Sequence, residues 1–279
     1  MASNLEKPEL AVLTPQWQAP ASVHACFTLR EGGVSSGPFG NEDGICGMNV
    51  GLYCGDAKVC VRTNRGFLSD YAGSDPKWLH QVHGTAIVHA DDAVPEAEAD
   101  GSWTMTPGVV LAIQTADCLP VILTDPAGRI VVALHAGWRG LAAGILQDGV
   151  KLMREKLSDP DARILALLAP RIGADDFEVG TDVLDAMKAR LPDAASRFKP
   201  KAEAGKWLCD LAGLASDALV SQGVKREDIA DCGFSTYADP VHFFSYRRDH
   251  GETGRHAALA WIDPKALRSL IIASPLLKD

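Results

Sequence analysis

Short apolar runs alternate along the chain with longer stretches in which apolar residues recur at helical spacing. Leu146, Val150, Met153 and Leu157 form one such stripe and predict a single helix over residues 141–157. Shorter apolar runs bounded by polar or glycine-rich segments predict strands. These strands are predicted at 23–29, 77–82, 85–89, 109–113, 121–123, 130–134, 164–168, 229–234 and 256–262. Further helices are predicted after an N-cap at Asp56, over 181–191 and over 208–222.

The order of these elements indicates how the chain is divided. Strands alternate with amphipathic helices, which is typical of a domain of mixed α and β structure. No internal repeat and no linker rich in Pro, Gly or Ser separates the chain into halves. We therefore predict an extended lead-in over residues 1–22 and one α+β domain over residues 23–279. Within it, the 77–82 and 85–89 strands are expected to pair across Gly84.

Composition and charge narrow the classes of function. Of the 279 residues, 47% are hydrophobic and 23% are charged, and the net charge is −9. This balance argues against a nucleic-acid or anionic-membrane binder, whose surfaces are normally basic, whereas a few arginines would suffice for a small anionic substrate. No apolar stretch approaches the roughly 20 residues of a membrane span, and we see no signal-peptide pattern. The odd count of 7 cysteines favours free thiols in a reducing cytoplasm.

Three side chains that can bind a metal stand at the ends of predicted strands. Cys118 lies between two strands, His135 follows the 130–134 strand, and His83 precedes Gly84. Two imidazoles and a thiolate suit zinc, and they would leave a fourth position for water or substrate. Copper is a possible alternative, because it binds such donors more tightly. A buried cysteine with two hydrogen-bonded histidines is the competing structural interpretation.

Other candidates stand close to these donors or in arginine-rich segments. Asp117 is a candidate acid–base group, although it would serve equally well as a hydrogen-bond acceptor in its turn. Arg247 and Arg248 follow an aromatic pair and could clamp a phosphate. Arg65, on the helix predicted after Asp56, and Arg139 are further anion-binding candidates.

The remaining histidines are not expected to bind the metal. His80 should point away from His83, because residues three apart on a strand face opposite sides. His24 is expected to be structural. The others lie in polar sequence and are predicted to be surface or supporting groups: His89, His242, His250 and His256.

Several motifs together carry a resemblance to a known family. They are TLREGGVS at 28–35, NVG at 49–51, CGD at 54–56, NR at 64–65, QVHG at 81–84, TADCLPV at 115–121, HAGWRG at 135–140, FEVG at 177–180 and FFSYRRD at 243–249. The chain resembles, over residues 23–262, the YfiH-type laccase-domain family, also called the multicopper polyphenol oxidase family. The family's metal ligands fall by motif on His83, Cys118 and His135. The resemblance implies an α/β/β/α layered sandwich with mixed sheets. Residues 40–48 look longer than the matching loop and are expected to reshape the pocket entrance.

The resemblance also implies a purine nucleoside enzyme. Its members phosphorolyse adenosine, inosine and methylthioadenosine to free base and ribose 1-phosphate, and they deaminate adenosine. The expected partners are thus a purine nucleoside and phosphate, with the oligomeric state left open. A copper-dependent polyphenol oxidase is an alternative, although 8 histidines and no His-x-His pair are few for several coppers. A cysteine hydrolase that uses Cys118 and His135 is a third possibility.

Overall fold

The computed structural model describes residues 10–265, which form sixteen named strands and five α-helices within that range. The strands are β1 Val12–Leu13, β2 Val23–Thr28, β3 Glu31–Ser35, β4 Leu79–His80, β5 Ile87–His89, β6 Ala97–Glu98, β7 Gly101–Thr104, β8 Leu111–Thr115, β9 Leu119–Thr124, β10 Val131–Ala136, β11 Leu165–Leu168, β12 Glu178–Gly180, β13 Phe198–Pro200, β14 Lys206–Cys209, β15 Ile229–Asp231 and β16 His256–Ile262. The helices are α1 Lys58–Ala72, α2 Trp138–Ala143, α3 Ile145–Leu157, α4 Thr181–Arg190 and α5 Leu211–Ser221.

Two sheets form the centre of the molecule. One has the strand order β1-β2-β16-β8, and the other has the order β15-β11-β9-β10-β7-β5. Pairing is mostly antiparallel, but β5 runs parallel to β7 and β15 runs parallel to β11. The sheets are therefore of mixed orientation, as predicted. A small third sheet joins β12, β14 and β13.

The alternation of side chains along each strand explains the layers. In β10, Val131 and Ala133 pack into the core between the two sheets, whereas Val132 and Leu134 pack against α3 and α5. On the other sheet, Ala257 and Leu259 of β16 join the core beneath α1. The order of layers is thus helix, sheet, sheet, helix, and the predicted α/β/β/α sandwich is confirmed. No helix within residues 10–265 combines the length and apolar character needed to cross a bilayer.

The predicted 141–157 helix is divided into α2 and α3. Gly144 separates them with φ +107, a left-handed conformation that ends the first helix. A Cβ at this position would lie 1.6 Å from Nη2 of Arg190. Because Gly144 has no side chain, the guanidinium of Arg190 occupies this space and donates to the carbonyl of Ala143 at the end of α2. The prediction of helical structure over 141–157 is confirmed, but Gly144 divides it into two helices.

The predicted pairing of 77–82 with 85–89 is wrong. β4 pairs with β6, and β5 pairs with β7 in the six-stranded sheet. Between β4 and β5 the chain turns through His83, whose φ is +62. This turn is held by the buried carboxylate of Asp100 rather than by a partner strand.

Smaller differences concern the ends of elements. The N-cap of α1 is Ala57, and the carboxylate of Asp56 instead accepts hydrogen bonds from Ser35 and Asn49. The predicted 208–222 helix begins only at Leu211, where Asp210 caps it, because the preceding residues form strand β14. The lead-in contains β1, which pairs with β2.

His256 is buried among aromatic rings, so the predicted surface position in polar surroundings is wrong for this residue. Its ring centroid lies 4.9 Å from that of Phe27 and 5.1 Å from that of Phe244. Nε2 accepts a hydrogen bond of 2.7 Å from the Phe244 backbone N–H, so the ring is neutral with its proton on Nδ1. Burial lowers the pKa of His256 to about 3.

This buried imidazole predicts a specific acid sensitivity. The unfolded chain takes up a proton near pH 6.5, but the folded state resists protonation until about pH 3. Each pH unit below 6.5 should therefore cost up to about 1.4 kcal/mol of stability. In urea unfolding, the unfolding free energy of wild type minus that of His256→Gln should fall by about 1.6 kcal/mol between pH 6.5 and pH 5. Parallel pH profiles for the two proteins would contradict the assignment.

Candidate active site

The three predicted metal ligands meet at the ends of strands from both central sheets. Cys118 lies in the short crossing from β8 to β9, immediately after Asp117, which has φ +85. His135 lies near the end of β10, opposite Pro120 of β9. His83 reaches the same place from the turn after β4. The strand ends therefore bring together side chains that are far apart in sequence.

A buried carboxylate holds two of these ligands. Asp100 Oδ1 accepts hydrogen bonds from His135 Nδ1 at 2.8 Å and from the His83 backbone N–H at 2.9 Å. Oδ2 accepts from the backbone N–H groups of Gly84 at 2.6 Å and of Val82 at 3.2 Å. Although burial raises the pKa of Asp100, these hydrogen bonds lower it below its usual value. Since a carboxylate can only accept, the proton of His135 is on Nδ1 and Nε2 faces the other ligands.

The donor atoms are close enough together to share a single metal ion. The ligand atoms of His83, Cys118 and His135 all lie within 4.8 Å of one another, and Sγ of Cys118 is 3.8 Å from Nε2 of His83. In a tetrahedral zinc site, the bond lengths place a sulfur ligand about 3.6 Å from a nitrogen ligand, which is close to the distance between Cys118 and His83. Gly137 leaves this space open, because a Cβ there would lie 3.0 Å from Sγ of Cys118 and 3.5 Å from Nε2 of His135.

The same contacts set the charges of the metal-free site. Burial raises the pKa of the Cys118 thiol, but the neighbouring His135 and His83 lower it more, to about 6. Burial lowers the pKa of His135, but Cys118 and Asp100 raise it, to about 9. Cys118 and His135 therefore form a thiolate–imidazolium pair at neutral pH. A thiolate is the form of cysteine that binds a metal or attacks an electrophile.

A cavity of about 570 Å³ opens beside the three ligands. This volume is within the range of small-molecule sites. Its lining includes Arg139, Arg247 and Arg255, and the only carboxylate among the lining residues is Asp117. Each arginine lies over an aromatic ring of the same lining: Trp138, Phe177 and Tyr246, respectively. The cavity is therefore locally basic, although the chain as a whole is acidic.

The predicted catalytic residue Asp117 is 8% exposed and has three hydrogen-bond donors around it. Its carboxylate accepts from Thr236 Oγ1 at 2.6 Å, from Ser245 Oγ at 3.0 Å and from the Arg247 backbone N–H at 2.7 Å. These bonds fasten the 245–247 segment beside Cys118. They match the turn-acceptor interpretation, and a catalytic role for Asp117 stays a prediction.

The four predicted arginines separate into two groups. Arg139 and Arg247 line the cavity. Arg65 is not a lining residue: it pairs with Glu96 at 2.5 Å and donates to the Val50 carbonyl and to the side chain of Gln114. Arg248 is also outside the lining, and its donors go to Asp249 and to three backbone carbonyls. Substrate binding by Arg65 and Arg248 stays a prediction without support from their positions.

Two lining residues were missed or misplaced by the sequence analysis. Arg255 follows Gly254 just before β16 and lies in none of the recognised motifs. His80 was expected to face away from His83, but the strand ends at His80 and the following turn brings both side chains to the cavity. Residues 40–48, expected to shape the entrance, contribute nothing to the lining described for this cavity.

Comparison with known proteins assigns the chain to a family. A family sequence model described as "multi-copper polyphenol oxidoreductase laccase" matches residues 24–263. The chain belongs to this laccase-domain family. Purine nucleoside phosphorylases of Pseudomonas aeruginosa and Escherichia coli are similar to it at 43% and 40% identity, each over 90% of this chain and 98% of the relative.

Two solved structures that are similar in sequence share the fold. A Neisseria meningitidis protein superposes with a TM-score of 0.82 at 42% identity, over 90% of this chain and 99% of that protein. YlmD from Geobacillus stearothermophilus gives a TM-score of 0.80 at 29% identity, over 91% and 100%. The names of the two sequence relatives point to phosphorolysis, whereas the description of the family model points to oxidation.

The contacts of Asp100 predict that Asp100→Asn weakens metal binding. An amide cannot accept all four hydrogen bonds, so the His135 tautomer and the His83 turn lose their support. Zinc affinity, measured by chelator competition, should fall about 10- to 100-fold. Asp125→Asn is a matched control, because Asp125 is equally buried but accepts from Ala127 and Arg129 at the distant β9–β10 turn. Equal zinc affinity in the folded Asp100→Asn and Asp125→Asn proteins would contradict the role of Asp100.

The low pKa of Cys118 predicts fast alkylation of the metal-free protein. At pH 7, iodoacetamide should modify Cys118 faster than an ordinary thiol, because more of it is thiolate, and the rate should fall as the pH drops through about 6. Mass spectrometry can follow Cys118 with the exposed Cys46 as internal reference. Stoichiometric zinc should protect Cys118 but not Cys46. Equal labelling of Cys118 with and without zinc would exclude it as a ligand.

Proposed function

We propose that this protein is a purine nucleoside phosphorylase. It converts adenosine, inosine and methylthioadenosine to the free base and the ribose 1-phosphate product, and it deaminates adenosine at the same site. The observation that carries the proposal is the basic cavity beside the His83, Cys118 and His135 cluster. The two relatives named as purine nucleoside phosphorylases, each covering 90% of this chain, support it.

The cavity has the donors that a phosphate co-substrate needs. Arg139 makes no hydrogen bond or salt bridge with any described residue, so its five N–H donors are available. Arg247 gives one Nη1 bond of 2.6 Å to the Glu178 carbonyl, and its other donors remain available. Guanidinium groups bind phosphate oxygens in pairs, with both charge and geometry matched. We assign the phosphate to Arg139 and Arg247.

Both reactions proceed through substitution at an electrophilic carbon. In phosphorolysis, a phosphate oxygen bonds to C1′ of the ribose as the C1′–N9 bond breaks. The bonding pair leaves with the purine, which takes up a proton. In deamination, water adds to C6 of adenine and ammonia leaves. The arginines hold the phosphate against C1′, which lowers the entropic cost of the encounter.

The metal donors support both reactions through charge rather than redox chemistry. His83, Cys118 and His135 would hold zinc, with copper as an alternative occupant of the same donors. Zinc held there supplies a Lewis acid and lowers the pKa of water. Asp100 keeps His135 in the tautomer that presents Nε2 to the ion, and Gly137 keeps the space clear.

The description of the matched family as a polyphenol oxidoreductase is the second candidate. The described residues include all 8 histidines of the chain, but only one group of three or more metal-binding side chains lies among them. One such group does not provide the several coppers of multicopper oxidation. The second candidate is therefore copper-dependent oxidation of a phenol at this single site.

A cysteine hydrolase is the third candidate and has a specific observation behind it. Cys118 and His135 form a thiolate–imidazolium pair with Asp100 behind the imidazole. This arrangement matches a nucleophile, a base and an orienting carboxylate. Zinc separates the two possibilities, because it would inhibit a cysteine nucleophile but support a metal enzyme.

The decisive experiment is a product assay with protein of known metal content. Adenosine and phosphate should yield adenine, inosine and hypoxanthine by chromatography, and His83→Ala should yield none. Unchanged adenosine at high enzyme concentration, together with copper-dependent oxidation of a phenol, would replace the proposal by the second candidate.

Arginine variants test the assignment of phosphate within the same assay. Arg139→Met should raise KM for phosphate about tenfold or more, because hydrogen bonds to charged groups contribute roughly 1.5–3 kcal/mol. KM for the nucleoside should change little. Arg62→Met is the control, since Arg62 is an exposed residue of α1 outside the cavity lining. An unchanged KM for phosphate in Arg139→Met would remove Arg139 from this role.

A further inference from the structure

We propose that Tyr246, backed by Arg255, is the surface on which the purine ring of the substrate stacks. The inference rests on the proposed function and adds a base-binding subsite to it. Tyr246 lines the cavity and is 54% exposed, which is a large exposure for an aromatic side chain. An exposed aromatic ring inside a ligand cavity offers a planar surface that any purine can cover.

The ring of Tyr246 is held by two neighbouring residues, Arg255 and Gly251. The guanidinium of Arg255 lies over it, 5.4 Å from the ring centroid. Arg255 is itself fixed, since its Nη1 donates to the carbonyls of Thr253 and Gly254 at 2.9 Å each. Gly251 lies against the hydroxyl end of the ring, where a Cβ would be only 3.3 Å from Cζ and Oη. A ring held in this way loses little conformational freedom when a ligand stacks on it.

The backbone of Tyr246 is tied to the metal ligands through Asp117. The residues on either side of Tyr246 both donate to the Asp117 carboxylate: Ser245 through Oγ at 3.0 Å and Arg247 through its N–H at 2.7 Å. Asp117 directly precedes Cys118. The geometry therefore fixes three groups in one frame: the thiolate, the ring of Tyr246 and the phosphate-binding side chain of Arg247. Such a frame is what a two-substrate reaction requires.

A second exposed tyrosine, Tyr53, lines the cavity, but it has weaker support. It is 69% exposed, and its one described aromatic contact is edge-on to His80 at 5.5 Å. No arginine lies over its ring among the described cation–π contacts. Of the two, Tyr246 has the fixed orientation that a stacking surface needs.

The test separates base binding from phosphate binding. Inosine in the absence of phosphate is the probe, because it cannot be phosphorolysed. In calorimetric titrations of the metal-loaded protein, Tyr246→Ala should raise Kd for inosine roughly 5- to 150-fold. Tyr246→Phe should bind close to wild type, since it keeps the ring, and Tyr246→Leu should resemble the alanine variant. In the turnover assay, KM for phosphate should stay unchanged in all three.

Tyr71→Ala is the matched control, because Tyr71 is 44% exposed but lies outside the cavity lining. The proposal is overturned if Tyr246→Ala and Tyr246→Leu bind inosine as tightly as wild type. It is equally overturned if their KM for phosphate rises as much as Kd for inosine, since Tyr246 would then act at the phosphate end. If wild-type protein forms no phosphorolysis product and binds no inosine, the proposed function itself fails together with this subsite.

Discussion

The candidate site depends on the hydrogen bonds of one buried carboxylate. Asp100 accepts from the His135 ring and from three consecutive backbone N–H groups that include His83. A buried carboxylate is stable only when donors of this kind surround it. The left-handed turn at His83 and the ring orientation of His135 are therefore two consequences of one interaction. Neither histidine would be held in this position without Asp100.

The sequence predicted the residues of the candidate site where metal-binding side chains stand next to predicted strands. His83, Cys118 and His135 each stand at a strand end, so strand prediction and motif together located them. Asp100 was missed because no local sequence pattern distinguishes a buried carboxylate from a solvated one. The break at Gly144 did have a signal, since glycine within a helical stripe weakens the helix.

The electrostatics of the cavity could not be derived from the bulk charge. A net charge of −9 describes the whole chain, whereas the cavity gathers Arg139, Arg247 and Arg255. Arg255 comes from a segment with no recognised motif. Arg65 and Arg248 stand in recognised motifs but serve protein contacts. Motif membership did not separate the arginines that face the cavity from those that fasten loops, because both kinds occupy similar sequence patterns.

Cys118 stands where the chain crosses from one central sheet to the other, since β8 belongs to the first and β9 to the second. The first sheet is completed only when β16 joins β2 and β8, which requires nearly the whole described chain. An ion held by His83, Cys118 and His135 would therefore fasten the crossing between the two sheets to the end of β10. By mass action it should raise the global unfolding temperature, and its release should coincide with cooperative denaturation. A fragment that lacks β2 or β16 would leave the first sheet incomplete beside Cys118.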